Sequence, residues 1–430
     1  MKEKFKLTKL ERSWILYDVG NSAFTLLVST LLPIYFNALA TSAGVDENMY
    51  LSYWGYAGSI ATILVAFIGP ICGTLSDRRG FKKPIFLLCV ALGVLGCAAL
   101  GLAKGWLLFL GIFILAKVGF NGSLVFYDAM LPEITTEGRM DNVSSLGYAW
   151  GYIGSVIPFV LCLVLVLAGG SFGLDQTTAM IIAFLITAAW WAVLTMPLAK
   201  RYKQTAYVEK QGSALGDSFR QLARTFQEAK AEKHVFVYLI AFFFFINGVY
   251  TIIDMATAYG SALGLDTTGL LLALLLTQIV AFPCAILFGR LSAKYDTGLL
   301  IKICILCYTC ITAFGMFLVT LWQFWVLATL VGMFQGGIQA LARSYLGKII
   351  RPERSGEFYG LMDICGKGAS FLGTTLVAFV SQITAGIQLN VFGITLQNEN
   401  LAVGALIILF IIGYGIFCKA DTLNKERVKQ

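Results

Sequence analysis

The sequence predicts an all-α membrane protein with twelve transmembrane helices in two six-helix halves. Of its 430 residues, 58% are hydrophobic and 13% are charged, and the mean hydropathy is +0.78. These values do not fit a soluble protein with an apolar interior and a polar surface. Because a transmembrane helix uses about 20 apolar residues, twelve spans fit within the chain and leave the remainder for loops and one longer linker.

The apolar runs of the sequence are the twelve predicted spans, numbered 1 to 12 in chain order. The first run follows a basic N-terminus and is too long for a signal-peptide core, so we expect it to stay in the mature protein. The runs lie at about 14–39, 50–75, 84–104, 106–130, 144–168, 177–198, 235–262, 267–291, 300–320, 322–347, 357–385 and 400–420.

The positions of Lys and Arg predict the orientation of the spans. Of these 32 residues, 29 fall on one side of the predicted membrane and only Lys104 falls on the other. By the positive-inside rule the basic side is cytoplasmic, which places both termini in the cytoplasm. We expect a multi-pass protein of a bacterial inner membrane. Because the basic clusters act as topology signals, the net charge of +8 does not indicate nucleic-acid binding.

The longest polar segment divides the chain into two halves. We predict an N-terminal six-helix bundle at 1–198, a cytoplasmic linker at 199–234 and a C-terminal six-helix bundle at 235–430. Apolar residues in the linker recur at spacings of 4, 3 and 4, which predicts an amphipathic helix along the inner membrane face. This helix either packs the halves together or regulates them, and its apolar residues are Leu215, Phe219, Leu222 and Phe226.

The loop after span 2 carries a Gly-x3-Asp-Arg-x-Gly pattern. Its residues are Gly73, Asp77, Arg78 and Gly80. The pattern resembles the signature loop of the major facilitator superfamily, in which glycine permits close helix approach and the acid pairs with helix ends. The resemblance implies a conformational latch rather than a substrate contact. A plain basic turn, the alternative, explains the neighbouring lysines but not the spacing.

A second copy of this loop should follow span 8 if the halves are repeats. Gly289-Arg-Leu-Ser292 occurs there, but Ala293 stands where Asp77 would align. We therefore expect the second latch to be degenerate or lost and the cytoplasmic gate to be asymmetric. The family resemblance also implies a ligand site near the membrane midplane between two six-span halves.

Four further strings carry a narrower resemblance that covers nearly the whole chain. They are Trp14-Ile-Leu-Tyr17-Asp18-Val-Gly-Asn21 in span 1, Phe126-Tyr127-Asp128 in span 4, Ser144-Ser145-Leu-Gly147-Tyr148 in span 5 and Gln335-Gly336-Gly337-Ile-Gln339 in span 10. Together they look like the vacuolar amino-acid effluxer (autophagy-related) branch of that superfamily and its bacterial relatives. The resemblance implies a carrier, and amino-acid export is associated with the fungal members. At Asp128 the chain departs from a more usual small amide residue.

Ionisable groups inside spans are costly and therefore mark candidate functional residues. A carboxylate whose solvation changes with conformation can take up and release a proton. The only histidine, His234, lies in the linker, so proton coupling falls to acids. The predicted coupling or gating residues are Asp18, Asp128, Asp254, Asp363 and Arg343. The alternative for Arg343 is that its long side chain simply reaches the inner interface.

Substrate recognition is predicted at polar residues deep in the spans. Lys117, in the middle of span 4, has no acid at i±3 or i±4, so it needs a partner on another helix, water or an anionic ligand. Lys367 lies four residues after Asp363 on one helical face. This is either a neutralised structural pair or a site for a substrate carboxylate. The predicted substrate-binding residues are Asn21, Lys117, Asn247, Gln335, Gln339 and Lys367.

These patterns predict a secondary transporter that works by alternating access on a small carboxylate-bearing solute such as an amino acid. Expected partners are this solute, membrane lipids and coupling protons, and we expect a monomer. The direction depends on gradients, with export as the expectation. A sugar or lysolipid is the alternative substrate, and a non-transporting membrane sensor is the alternative class. No nucleophile, metal or cofactor constellation is evident, so we expect no enzyme; Cys304-x2-Cys307-x2-Cys310 reads as core packing.

Overall fold

The computed structural model describes residues 5–46, 49–209, 232–384, 386, 389–391, 394–396 and 398–429. Within these residues twelve helices are long and apolar enough to cross a membrane, which confirms the predicted fold class. In order, the spans comprise Lys9–Ser29 with Leu31–Ser42, Tyr50–Ser76, Lys82–Ala99, Trp106–Ala129, Glu137–Ala168, Gln176–Arg201, Lys233–Ala262, Thr267–Leu291, Thr297–Met316, Leu321–Ile349, Ser355–Ile383, and Asn398–Gly404 with Leu406–Lys429.

Short elements connect several spans. A four-residue helix, Leu131–Ile134, follows span 4, and the turn Pro352–Arg354 precedes span 11. Two three-residue strands, Leu389–Val391 and Ile394–Leu396, pair antiparallel between spans 11 and 12. This hairpin is the one addition to the all-α prediction among the described residues. The amphipathic helix predicted at 215–226 lies outside the described residues.

Span 5 begins at Glu137, earlier than its apolar run predicts. Its first two turns are polar, so a hydropathy window counts them as loop although their backbone is helical. Asp141 therefore lies on the helix, where it is 5% exposed. We call the span ends beside segments 77–81, 130–136, 292–296 and 350–354 the inner ends, and the opposite ends the outer ends.

The chain packs into two compact units. Unit 1 comprises residues 1–136, 150–219 and 352–360, and unit 2 comprises residues 137–149, 220–351 and 361–430. Spans 5 and 11 therefore each begin in one unit and continue in the other. Each unit contains a short inner segment from the opposite half of the sequence.

Aromatic stacking between spans 1 and 4 builds the inner core of unit 1. The Trp14 and Tyr127 rings stack with centroids 4.2 Å apart, and Trp14 Nε1 donates to the Tyr127 carbonyl at 2.9 Å. One turn further, Tyr17 OH donates to Ser123 Oγ at 2.6 Å. All four residues are essentially inaccessible to solvent, and the Trp14 indole N–H and the Tyr17 hydroxyl are satisfied inside the bundle.

Spans 7, 10 and 12 meet at the corresponding inner core of unit 2. Tyr238 OH donates to the Ala342 carbonyl at 2.6 Å, and its ring lies 5.0 Å from that of Tyr345. Phe417 of span 12 packs against both rings. These two cores fix the inner ends of the spans, where the charged residues of the chain gather.

Candidate functional site

Asp77 forms hydrogen bonds with the start of span 11 inside unit 1. Its Oδ1 accepts from the Gly356 amide at 2.8 Å and its Oδ2 from the Glu357 amide at 2.9 Å. The first amides of a helix have no intrahelical partner and carry partial positive charge. Asp77, at 3% exposed, therefore supplies two acceptor oxygens for the free amides of this helix start.

Lys82 supplies the counter-charge. Its ammonium is fully buried and donates to Glu133 Oε1 at 2.6 Å and Ser355 Oγ at 2.8 Å. It also lies 3.6 Å from Asp77 Oδ1. We name Asp77, Lys82, Glu133 and Ser355, with the amides of Gly356 and Glu357, the Asp77 cluster. Burial raises the pKa of Asp77 to about 7, although Lys82 and the two amides act to lower it.

The glycines of the pattern have distinct roles. A Cβ at Gly73 would collide with the Gly356 carbonyl, so the inner ends of spans 2 and 11 approach as closely as glycine allows. Gly80 has a positive φ of 80°, a conformation that favours glycine. Its amide donates to Gln204 Oε1 at 2.9 Å. Arg78 is partly exposed and pairs with Val208 in a single backbone bridge.

The start of the linker donates hydrogen bonds to Glu133 of the Asp77 cluster. Glu133 Oε2 accepts from the amides of Thr205 at 2.7 Å and Ala206 at 3.2 Å, while Tyr202 OH donates to Oε1 at 3.0 Å. Burial and the charge of Glu133 raise the pKa of the Tyr202 hydroxyl well above its ordinary value. Sequence reasoning assigned no role to Glu133 or Lys82, because a basic inner loop is explained by topology alone.

A second buried acid organises the inner end of unit 2. Asp141 Oδ1 accepts from Ser344 Oγ at 2.6 Å, and Oδ2 accepts from Thr297 Oγ1 at 2.7 Å and Lys348 Nζ at 2.6 Å. These four residues are the Asp141 cluster, which joins the start of span 5 to spans 9 and 10. Sequence analysis missed it because Asp141 lay in a predicted loop.

That the second latch is degenerate or lost stays a prediction, but the described residues show what surrounds its loop. The inner end of span 8 packs against span 5: a Cβ at Gly289 would lie 2.9 Å from Ser145 Cβ. Ala293 is exposed, so its position does not provide a buried acid. The acid comes instead from the opposite side of the contact, from Asp141. The lack of an acid at position 293 was the one feature of the sequence that could have indicated that another segment supplies it.

Arg343 lies beside this cluster and is only 3% exposed. Its Nε donates to Ser144 Oγ and its Nη2 to the Ser144 carbonyl, both at 2.9 Å. The guanidinium carbon lies 4.4 Å from the centre of the Tyr148 ring, an arrangement that favours a cation. The side chain is therefore held inside unit 2 rather than extended to the interface.

The predicted polar residues of unit 1 lie in two places. Asp18 and Asn21 are buried in span 1, and Asn21 Nδ2 has no hydrogen-bond partner among the described residues. A Cβ at Gly151 of span 5 would lie 3.7 Å from the Asp18 carboxyl carbon. In span 4, Lys117 is partly buried beside Gly58, and Asp128 is partly buried nearer the inner end.

The predicted polar residues of unit 2 are also dispersed. Lys367 donates to Asp363 within span 11, which is the pair that the i,i+4 spacing predicts. Asn247 is buried in span 7 and faces Gly373 of span 11, where a Cβ would collide with its amide oxygen. In span 10 Gln335 is buried and Gln339 is partly buried. Asp254 of span 7 is exposed.

The chain matches one protein family over nearly its whole length. The model described as vacuole effluxer Atg22 like matches residues 8–422. YxiO of Bacillus subtilis (strain 168), an uncharacterized MFS-type transporter, is 38% identical over 430 residues, 99% of this chain and 98% of that protein. Autophagy-related protein 22-2 of Aspergillus clavatus is 26% identical over 269 residues, which are 56% of this chain but only 43% of the fungal protein.

Solved structures of major facilitator proteins share the fold. FucP in the outward conformation superposes with a TM-score of 0.69 at 14% identity, covering 96% of this chain and 97% of that one. A bacterial homologue of the iron transporter ferroportin, in its outward-facing state, gives 0.69 at 12% identity, covering 97% and 100%. At such identities the likeness establishes the fold alone. The family match, the relative in Bacillus subtilis and the twelve spans lead to one conclusion: this chain is a multi-pass membrane protein that belongs to the Atg22-like family of major facilitator superfamily transporters.

Proposed function

We propose that this protein moves a small carboxylate-bearing solute, such as an amino acid, by proton-coupled alternating access. Membership of the transporter family supports the class of activity. The observation that carries the substrate class is the placement of Lys117. Its ammonium lies in the middle of an apolar span, where only a strong functional reason favours a cation.

The surroundings of Lys117 suit an anionic ligand. Its Nζ lies 5.7 Å from the centre of the Phe113 ring, and the Cβ that Gly58 lacks would lie 3.4 Å from it. The absence of a side chain at Gly58 lets the ammonium lie close to the backbone of span 2. Asn21, whose buried amide nitrogen has no hydrogen-bond partner among the described residues, is a further donor in the same unit. An ammonium and an amide nitrogen can each donate to a carboxylate oxygen.

Lys367 is the second cation of the proposed substrate pathway. Asp363 pairs with it within span 11, so a substrate carboxylate competes with this acid for the ammonium. Displacement of Asp363 leaves its carboxylate without a counter-ion, which favours uptake of a proton. Binding of an anion at Lys367 and protonation of Asp363 are thereby linked. Asp18, Asp128 and Asp254 are the further proposed coupling groups.

The Asp77 and Asp141 clusters are the proposed elements of the inner gate. Each holds a segment from one half of the sequence against spans of the other half. Alternating access requires both sets of bonds to break and re-form during a cycle. The Lys and Arg distribution supports placing these clusters on the cytoplasmic side of a bacterial inner membrane, and we propose export as the direction of net transport.

Thermal stability with candidate ligands tests the substrate class. A ligand at 100 times its Kd stabilises the folded state by about 2.7 kcal/mol. We expect an amino acid or organic acid to raise the unfolding temperature of the purified protein, and the shift to disappear in Lys117→Gln. Lys104→Gln is the matched control because Lys104 is exposed at an outer end. The best ligand is then tested for uptake into proteoliposomes with and without a pH gradient.

Other outcomes decide between the remaining interpretations. Stabilisation by sugars or lysolipids alone, unchanged in Lys117→Gln and Lys367→Gln, would overturn the carboxylate assignment and leave the carrier fold intact. A ligand that binds but never crosses the membrane under any gradient would favour a non-transporting sensor. Uptake that is insensitive to the pH gradient would remove proton coupling from the proposal.

A further inference from the structure

Unit 2 contains a cavity of about 330 Å³ in the outer half of its helices. The walls come from the outer parts of spans 7, 9, 11 and 12 and from the start of span 10. Most of the lining is apolar, with Ile252, Met255, Ile311, Leu327, Val377 and Leu406 among the wall residues. The volume lies at the lower end of the range for small-molecule pockets, about 300–1,000 Å³.

The hydroxyl groups of the cavity wall are engaged within the protein. Thr312 Oγ1 donates to the Tyr308 carbonyl at 2.7 Å. Tyr259 OH donates to the Gly315 carbonyl at 2.8 Å and accepts from Asn400 Nδ2 at 2.9 Å. These bonds tie spans 7, 9 and 12 together at the outer end of the cavity. They leave little polar capacity in the wall for a ligand rich in hydroxyl groups.

Glu399 differs from the other polar groups of the wall. It belongs to the lining, and its buried Oε2 has no hydrogen-bond partner among the described residues. No lysine or arginine belongs to the described lining. A buried carboxylate oxygen without a partner is unfavourable unless a cation or donor meets it. The cavity thus combines hydrocarbon walls with one anionic group.

We propose that this cavity binds a small hydrophobic amine in its ammonium form, with Glu399 as the counter-ion. The apolar walls accept the hydrocarbon part, and the ammonium pairs with the carboxylate of Glu399. None of the residues proposed to bind the transported solute belongs to the described lining, so the cavity is a second site rather than part of the substrate pathway. Failure of this proposal leaves the proposed transport function unaffected.

The site is positioned to influence span 7. Thr251 lies in the cavity wall, one turn from Asn247, and both contact span 11 at Gly373. An occupant therefore packs against the two helices that meet at Gly373. Occupation of the cavity stiffens this contact, which makes the amine a modulator of the carrier.

Calorimetric titration of the full chain in lipid nanodiscs tests the proposal without detergent in the cavity. The probes are 2-phenylethylammonium and two analogues of similar size, neutral 2-phenylethanol and anionic 3-phenylpropanoate. We expect saturable binding of the ammonium alone, weakened about tenfold or more in Glu399→Gln because a charged hydrogen bond is lost. Glu353→Gln, which removes the charge of an exposed acid outside the cavity lining, should bind the ammonium like the wild type.

Charge reversal provides a second readout. Glu399→Lys should lose the ammonium and gain the propanoate, since the walls stay the same while the charge inverts. Undiminished ammonium binding in Glu399→Gln, equal binding of the neutral alcohol, or no saturable binding to the wild type would each overturn the proposal.

Discussion

The Asp77 and Asp141 clusters each bind a buried acid to hydrogen-bond donors of another segment. They differ in where the acid and its donors lie. In the Asp77 cluster the acid lies on an inner loop and the backbone amides of span 11 are the donors. In the Asp141 cluster the acid lies on the helix start itself, and side chains of Thr297, Ser344 and Lys348 are the donors.

The comparison shows that a buried acid can join inner segments in both units although the acid occupies a different kind of position in each, a loop for Asp77 and a helix start for Asp141. Both clusters contain a buried acid, and each has a closely packed glycine nearby, Gly73 in unit 1 and Gly289 in unit 2. They differ in burial of the cation, since the Lys82 side chain is fully buried whereas that of Lys348 is 20% exposed. We therefore expect the Asp77 cluster to be less tolerant of change.

The largest expected effect comes from removing the buried lysine. Lys82→Met leaves the carboxylates of Asp77 and Glu133 without their counter-charge, which costs about 3–5 kcal/mol for a buried pair. Lys348→Met should cost less, because water reaches the partly exposed site. Chemical denaturation of the purified variants measures both, with Lys83→Met as the control. Equal losses at positions 82 and 348 would contradict the proposed ranking of the clusters.

Glycine substitutions compare the closeness of the two contacts. Gly73→Ala places a methyl group against the Gly356 carbonyl backbone, and we expect a loss of about 1–3 kcal/mol from overpacking. Gly289→Ala meets the Ser145 side chain at a longer 2.9 Å and should cost less. Unfolding temperatures of the two variants decide the order. A larger drop in unfolding temperature for Gly289→Ala than for Gly73→Ala would contradict the assignment of the closer packing to Gly73.

Replacing each acid by its amide tests where the second acid acts. Asp141→Asn turns one accepting oxygen into a donor group that faces other donors, and we expect a loss of about 1–3 kcal/mol. Adding Ala293→Asp to this variant should not restore stability, because position 293 is exposed. Recovery in the double variant would mean that the loop position still functions as a latch.

The smallest expected effect is the pH dependence of the Asp77 cluster. Its folded-state pKa of about 7 lies above the ordinary value of 3.8, so the folded protein holds this proton more tightly than the unfolded chain. The contribution of Asp77 to stability is therefore complete below about pH 4 and is lost as the pH rises through about 7. The difference in unfolding temperature between wild type and Asp77→Asn should be greater at pH 5 than at pH 8. A difference that grows with pH would show that the carboxylate is stabilised in its charged form.

Most of the fold could be predicted from the sequence because the membrane imposes one simple requirement. A span must be long, apolar and helical, and composition alone reveals such runs. Gly73 and Asp77 could also be singled out from the sequence, because a basic topology signal does not explain the Gly-x3-Asp spacing. The pairing of Asp363 with Lys367 followed from helical periodicity.

The contacts between distant segments could not be predicted in this way. Asp141 and Glu133 occupy polar positions that hydropathy assigns to loops. Their partners come from other segments: Lys82 of span 3 for Glu133, and residues of spans 9 and 10 for Asp141. The distance from Arg343 to Ser144 depends on a contact across 199 positions of sequence. The cavity beside Glu399 depends on the arrangement of five helices, which single-span patterns do not contain.

Segments 137–149 and 352–360 each belong to the unit that is formed mainly by the other half of the sequence. This arrangement has a consequence for recombination between homologues. A recombinant that joins the front half of one homologue to the rear half of another at the linker would unite Asp141 of one ancestor with Lys348 of the other. Both clusters then straddle the crossover, so neither parental set of partners survives intact. We therefore expect substitutions in one half to depend on the residues of the other, although the topology of the chain looks modular.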